Sequence, residues 1–252
     1  MQRPLAAAVL ALGLGLSLVA CDGGNKPAAA PSNTTPTAPV STPTPPASTA
    51  PTTPSAPPAP AARTKASLTK ALLALDDLPS GLAVEPDSGG DDDGTKLTSS
   101  NAKCAPLIKL FNDEAPTGSK VTVSRDFSGG QEGPFVGEQL DALPSAAAAK
   151  AYLTSVKTAV ASCKQAKLTI TGAGTSPVAI AEVSAPKAGD AAVGVRVSAT
   201  SGALQGLEIH FAFAALNDVL LSMNFDSSDI EEPTLAAADK VREVLGASTQ
   251  GA

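Results

Sequence analysis

Apolar positions along this chain change period several times between residue 64 and residue 246, and each change marks an element. Leu68, Leu72 and Leu75 recur at helical spacing, which predicts a short amphipathic helix over Ser67–Asp77, stopped by Pro79 and Gly81. Leu82–Glu85 reads as a strand and Asp87–Gly94 as an acidic, glycine-bearing loop. Lys103–Phe111 reads as a second helix. Lys120–Phe127 alternates Val121 and Val123 with polar residues, the pattern of a half-buried strand, and Phe135–Leu143 is its antiparallel partner across Gly129–Gly133. Pro144–Cys163 is the strongest helix, with proline near its start, an alanine-rich body and Tyr152, Val156 and Val160 in one stripe. Strands follow over Lys167–Thr171, Ala179–Ser184, Ala192–Thr200, Leu204–Ala214 and Val219–Phe225, separated by Gly, Pro, Asn and Asp turns. A last helix over Pro233–Leu245 turns Leu235, Ala238, Val241 and Leu245 inward. The pattern predicts an α+β domain: a single curved, mostly antiparallel sheet with helices packed on one side.

The N-terminal sixty residues follow neither period. Arg3 precedes an apolar run, Leu5–Ala20, which is interrupted by Gly13 and Gly15 and has no basic cluster after it. That is too short for a comfortable membrane span and has the form of a secretory signal. It closes on Leu18-Val19-Ala20-Cys21, which resembles the lipobox of bacterial lipoproteins. The resemblance implies cleavage before Cys21, a diacylglycerol on its thiol, and attachment to the outer side of the cell membrane. Acyl chains on a glyceride anchor stably where a single chain does not. From Pro27 to about Arg63 the chain is nearly all Pro, Thr, Ser and Ala, with 12 of its 22 prolines and no aromatic residue. Nothing there is large enough to bury, so the expectation is a disordered, extended stalk with sites for O-glycosylation. The organisation read from these shifts is a signal peptide over residues 1–20, an anchored stalk over 21–65 and an extracytoplasmic domain over 66–252.

From Thr64 onward the chain carries 15 Lys and Arg against 23 Asp and Glu, a net charge of −8. Nucleic-acid binding needs clustered cations, so no nucleic acid is expected as a partner. Six Phe, one Tyr and no Trp leave the core to Ala, Val, Leu and Ile, and speak against ligands that need exposed stacking platforms. With Cys21 assigned to lipid, Cys104 and Cys163 form an even pair in an oxidising compartment. A disulfide between them closes a loop of about 60 residues and stabilises the fold by roughly 4 kcal/mol; two free thiols are the alternative.

Catalytic chemistry finds little support. There is no G-x-S-x-G elbow, and His210 is the only histidine. Alternation puts Glu208 and His210 on the strand face opposite Ile209, Phe211 and Phe213; if a cleft lies there, Glu208 (or Glu182) and His210 are its candidate ligand-binding residues. Asp91, Asp92 and Asp93 lack the spacing and terminal glutamate of a calcium loop, and Gly172-Ala173-Gly174 lacks the lysine and helix of a phosphate loop. No enzyme activity, metal or cofactor is expected.

Several short segments in order carry a family resemblance: Leu72–Leu82 (LLALDDLPSGL), a cysteine about 25 residues later, the strand pair, the alanine-rich helix ending in Ala161–Lys164 (ASCK), Ala185–Val197 (APKAGDAAVGVRV) and Val219–Phe225 (VLLSMNF). Together with the lipobox and stalk, this order resembles actinobacterial lipoproteins that carry a PknH-like extracellular sensor-type domain. The resemblance spans most of residues 67–246. It implies a cleft-bearing sensor fold at the cell surface with an unidentified ligand, and no catalytic residue. It also implies two disulfides, of which this chain can form one. The function expected is a non-enzymatic cell-surface lipoprotein that binds a small or lipidic ligand. Two alternatives stand beside it: a lipid carrier with an apolar cavity, and an interaction partner of an envelope enzyme or membrane kinase.

Overall fold

Two hydrogen-bonded strands at the centre of the sheet are apolar on both sides, and the architecture follows from covering them. These are β8 (Glu208–Leu216) and β9 (Val219–Phe225), joined by the tight turn Asn217-Asp218. Asn217 supplies the left-handed backbone of that turn, with φ 58°. The structure, a computed structural model, describes residues 63–86, 94–130, 133–226 and 228–246. The signal segment, Cys21, the stalk up to residue 62 and the acidic run 87–93 lie outside the described residues.

The first described residue, Arg63, pairs its guanidinium with Asp218 (2.8 Å) and donates to the Leu245 carbonyl (2.9 Å). Thr64 then caps α1 (Lys65–Ala71) through a reciprocal box with Ser67. A single 3-10 turn, Leu75–Asp77, replaces the second half of the predicted helix. After it come β1 (Ala83–Val84), β2 (Thr95–Thr98), α2 (Ala105–Asn112), β3 (Val121–Ser128), β4 (Phe135–Ala142) and α3 (Ala146–Ser162). The remaining elements are β5 (Gln165–Ile170), β6 (Gly174–Val183), β7 (Ala191–Ala199), the β8–β9 hairpin and α4 (Glu231–Leu245). The nine strands form one open antiparallel sheet in the order β1-β3-β4-β9-β8-β7-β6-β5-β2. No helix among the described residues is long and apolar enough to cross a membrane.

The single sheet and the α+β class are those the pattern predicts. The helices, however, lie on both faces and not on one. On the first face, Leu140, Leu221, Ala212 and Ala214 meet Leu68 and Ala71 of α1 and Ala238 and Val241 of α4. On the second, Val193, Val195, Ala215 and Leu220 meet Leu107 of α2 and Leu153, Val156 and Val160 of α3. The reason is the run Phe213–Leu216 followed by Val219–Leu221. Strand side chains alternate, so an unbroken apolar run is apolar on both sides and must be covered twice.

β2 escapes prediction because its four residues hold one apolar side chain, Leu97, too few to show a period. β6 begins earlier than predicted, because Gly174 and Pro177 read as turn residues. Pro177 is nevertheless paired with Lys167, and its carbonyl accepts from Thr200 (2.9 Å).

A buried polar fastening holds the segment after α1 to the first face. Glu138 is 2 % exposed and stands between Arg125 and Met223 in neighbouring strands. Its Oε2 accepts from the Leu73 N–H (2.7 Å), and Arg125 donates to the Leu73 carbonyl, so the segment after α1 is held by both groups of one residue. Oε1 has no hydrogen-bond partner. Burial pushes the Glu138 carboxyl up to about 7, against the opposing pull of the Leu73 N–H, Arg125 and Lys240.

Between the ordinary glutamate value of 4.5 and about 7, the folded chain therefore keeps a proton that the unfolded chain has lost. Stability falls as pH rises through that window, by about 3 kcal/mol from this group alone. Glu138→Gln retains an acceptor for Leu73 and removes the decline. Guanidinium unfolding of both proteins at pH 5 and pH 8 checks this: wild type should lose distinctly more stability at pH 8 than the variant, and an equal loss in both contradicts it.

Candidate functional site

On the second face the sheet surface steps downward. One cross-strand row runs Val193, Phe213, Ser222, Gln139, and the next runs Val195, Phe211, Asn224, Gly137. In each row a phenylalanine on β8 is followed by a small or polar side chain on β9 and β4. Gly137 is required there: a Cβ at that position would meet Asn224 Oδ1 at 1.9 Å and Asp126 Oδ1 at 2.8 Å. The step leaves a cleft of about 190 Å³ beneath α2 and α3.

The walls are aromatic and aliphatic. Phe211 and Phe213 stand parallel, with centroids 6.2 Å apart and 7° between planes. Phe111, from the end of α2, meets Phe211 edge-on at 5.1 Å, and Tyr152 of α3 meets Phe213 edge-on at 6.5 Å. Four of the chain's seven aromatic residues thus gather at one place. Leu107, Leu110, Val156 and Val160 complete the apolar lining. α2 and α3 are joined by the disulfide Cys104–Cys163, which links the start of α2 to the end of α3 and realises the predicted pair.

Polar groups crowd one end. Asp113, at the C-cap of α2, lines the cleft together with Gln139, Ser222 and Asn224. Gln139 donates to Asp141 Oδ2 (2.9 Å) and to the Glu114 carbonyl (3.2 Å). Asp141 is buried and also accepts from Ser119 and Thr122; burial nevertheless raises its pKa above the ordinary aspartate value. Tyr152 is pushed up to about 12, first by burial and then by the charges of Asp141 and Asp113. It remains a neutral phenol, and its hydroxyl makes no hydrogen bond with the described residues.

The residues singled out from sequence lie elsewhere. Glu208 and His210 come together on the first face, with His210 Nε2 2.6 Å from Glu208 Oε1. This contact, more than any other, holds the Glu208 carboxyl below its ordinary range. Ser198 Oγ donates to Glu208 Oε2 (3.1 Å), so the serine is bonded to the carboxylate and not to the imidazole, unlike a nucleophile with its base. His210 borders a second, more polar groove between the Val183–Lys187 segment and the start of α4. Glu182 points to the opposite face and sits 3.8 Å from Lys157 of α3. No group of three or more His, Cys, Asp or Glu suited to a metal occurs among the described residues. The cleft floor itself was missed from sequence. Its signal is the alternation inside Val219–Phe225, where Ser222 and Asn224 interrupt one side of the strand while Val219, Leu221, Met223 and Phe225 keep the other apolar.

A family model described as the PknH-like extracellular domain matches residues 64–246. Among solved structures, the chain is similar to the extracellular domain of PknH from Mycobacterium tuberculosis, with a TM-score of 0.52 and 16 % identity over 75 % of this chain and 99 % of that one. It is also matched to an uncharacterized protein from Mycobacterium smegmatis, with a TM-score of 0.38 and 12 % identity over 68 % of this chain and 92 % of that one. At such identity the first likeness concerns the fold alone, and the second carries no argument. No curated protein matches.

α2 buries only Leu107 and is clipped to β2 by Asn112, whose side chain bonds both backbone groups of Leu97; the disulfide is its covalent tie to α3. Replacing Cys104 and Cys163 together by Ala should lower stability by about 4 kcal/mol, the loop-closure value for 59 residues. Urea unfolding measures it, and a loss below about 1 kcal/mol contradicts this role for the bond.

Proposed function

We propose that this chain, which belongs to the PknH-like extracellular domain family, is an extracytoplasmic sensor-type domain that takes a small, largely apolar molecule into the cleft between α2, α3 and the sheet. The observation that carries the reading is the aromatic gathering. A chain with only seven aromatic residues places four of them around one cavity, with a few convergent polar groups at its end. Ser222 and Asn224 line its floor, where larger residues would close it. At about 190 Å³ the cavity is near the roughly 150 Å³ apolar void that accepts benzene. It suits a ring or a short chain and is too small for a whole lipid, so binding is favoured over lipid carriage.

In the same proposal Cys21 is the lipid-bearing residue and the Pro/Thr-rich stretch is the tether. About 37 residues at 3.1 Å each reach on the order of 100 Å when extended, enough to carry the domain away from the membrane. The anchored domain would present its cleft to the envelope, and a ligand-dependent change in the α2–α3 layer would be read by an envelope protein.

Tyr152 is the only tyrosine, and there is no tryptophan. Intrinsic fluorescence of the protein therefore reports from the cleft wall. Titration of the intact protein with toluene should change that fluorescence saturably. Ser222→Phe, which fills the floor, should abolish the change while leaving the unfolding midpoint close to wild type. A linear, non-saturating response, or an unchanged response in the variant, would rule against the cleft as a ligand site. For the anchor, Cys21→Ala should release the protein from the membrane fraction, and retention of the variant there contradicts lipidation.

A further inference from the structure

We infer that the cleft selects a small organic cation, an ammonium group carried on a ring or short apolar body. The inference rests on the cleft being the ligand site and adds the charge of what enters it. Among the described residues, the only charged side chain lining the cleft is a carboxylate, Asp113; no Lys, Arg or His of these lines it. Lys109 does pair with Asp113 Oδ2, but it lines the adjoining groove and not the cleft, and its own side chain is 64 % exposed. Such exposed pairs are weak and exchange readily with solvent.

The neutral groups point the same way. Gln139 directs its amide nitrogen at two acceptors, the Glu114 carbonyl and Asp141. Both amide hydrogens are spent, the amide orientation is fixed by that pairing, and the group Gln139 has left to offer a ligand is its acceptor oxygen. Behind it, Asp141 is a second carboxylate within electrostatic reach of Tyr152. Four aromatic rings gather at the cleft, Phe211 and Phe213 standing parallel, and aromatic rings attract a cation in a partly dry setting. A carboxylate or phosphate ligand would meet repulsion from Asp113 and Asp141, offset only by the exposed Lys109 beside Asp113. An ammonium finds a carboxylate, an amide oxygen and ring faces together.

Three probes of one size separate charge from shape: benzyltrimethylammonium, benzyl alcohol and phenylacetate, titrated into the intact protein with Tyr152 fluorescence as the readout. Benzyltrimethylammonium is expected to bind at least ten-fold more tightly than benzyl alcohol, with phenylacetate the weakest. Asp113→Asn should weaken the ammonium several-fold and leave benzyl alcohol unchanged, and added salt should act in the same direction. If benzyl alcohol binds as well as the ammonium, or phenylacetate binds best, the cation preference is overturned while the cleft remains a ligand site. If none of the three gives a saturable response, the ligand-site reading fails and this inference falls with it.

Discussion

The β8–β9 pair must be shielded from water on both sides. Ala214, Leu216, Val219 and Leu221 face one way, Phe213, Ala215 and Leu220 the other, and almost all are fully buried. At about 25 cal/mol per Å² of apolar surface, exposing either side would cost more than a domain of this size can spare. Placing the pair in the middle of a nine-stranded sheet and laying helices on both faces is the solution the chain adopts. The strand order follows from it: β9 returns to lie beside β4, and α3 carries the chain across the second face from β4 to β5.

The two coverings differ in kind. On the first face α1 and α4 pack directly against the sheet, with five fully buried positions on α4, and the segment after α1 is fastened by Glu138 and Arg125. Arg63 ties the start of the domain to the β8–β9 turn and to the end of α4. On the second face α3 packs closely along β6, β7 and β8, but α2 stands off. It is held by a disulfide, by the Asn112 side chain on both backbone groups of Leu97 in the edge strand β2, and by the edge-on contact of Phe111 with Phe211. Under it the floor falls from Phe to Ser, Asn and Gly. The first face serves stability; the second keeps an opening, and the sparse aromatic residues of the chain are concentrated there.

Much of this was legible in the residue pattern because most elements are long enough to show a period. Val219–Phe225 was placed residue for residue, and α3 and α4 were placed to within two residues at either end. The cysteine pair followed from counting. Two things were not legible. Which sheet face a helix covers depends on the crossing of α3, which no local period encodes, so a one-sided covering was expected where two exist. The cleft depends on cross-strand neighbours that are far apart in sequence: Phe213 with Ser222 and Gln139, Phe211 with Asn224 and Gly137. Glu208 and His210 stood out because they are rare residue types, and alternation placed them together correctly, but on the face away from the aromatic cleft.

The division of labour between the two faces is tested most directly by native-state hydrogen exchange resolved along the chain. Amides of β8, β9 and α4 should exchange slowest, near the rate of global unfolding, while those of α2 open well before them. Exchange from α4 or α1 ahead of α2, or a single uniform rate across all helices, would contradict a tightly covered first face and a loosely covered second one.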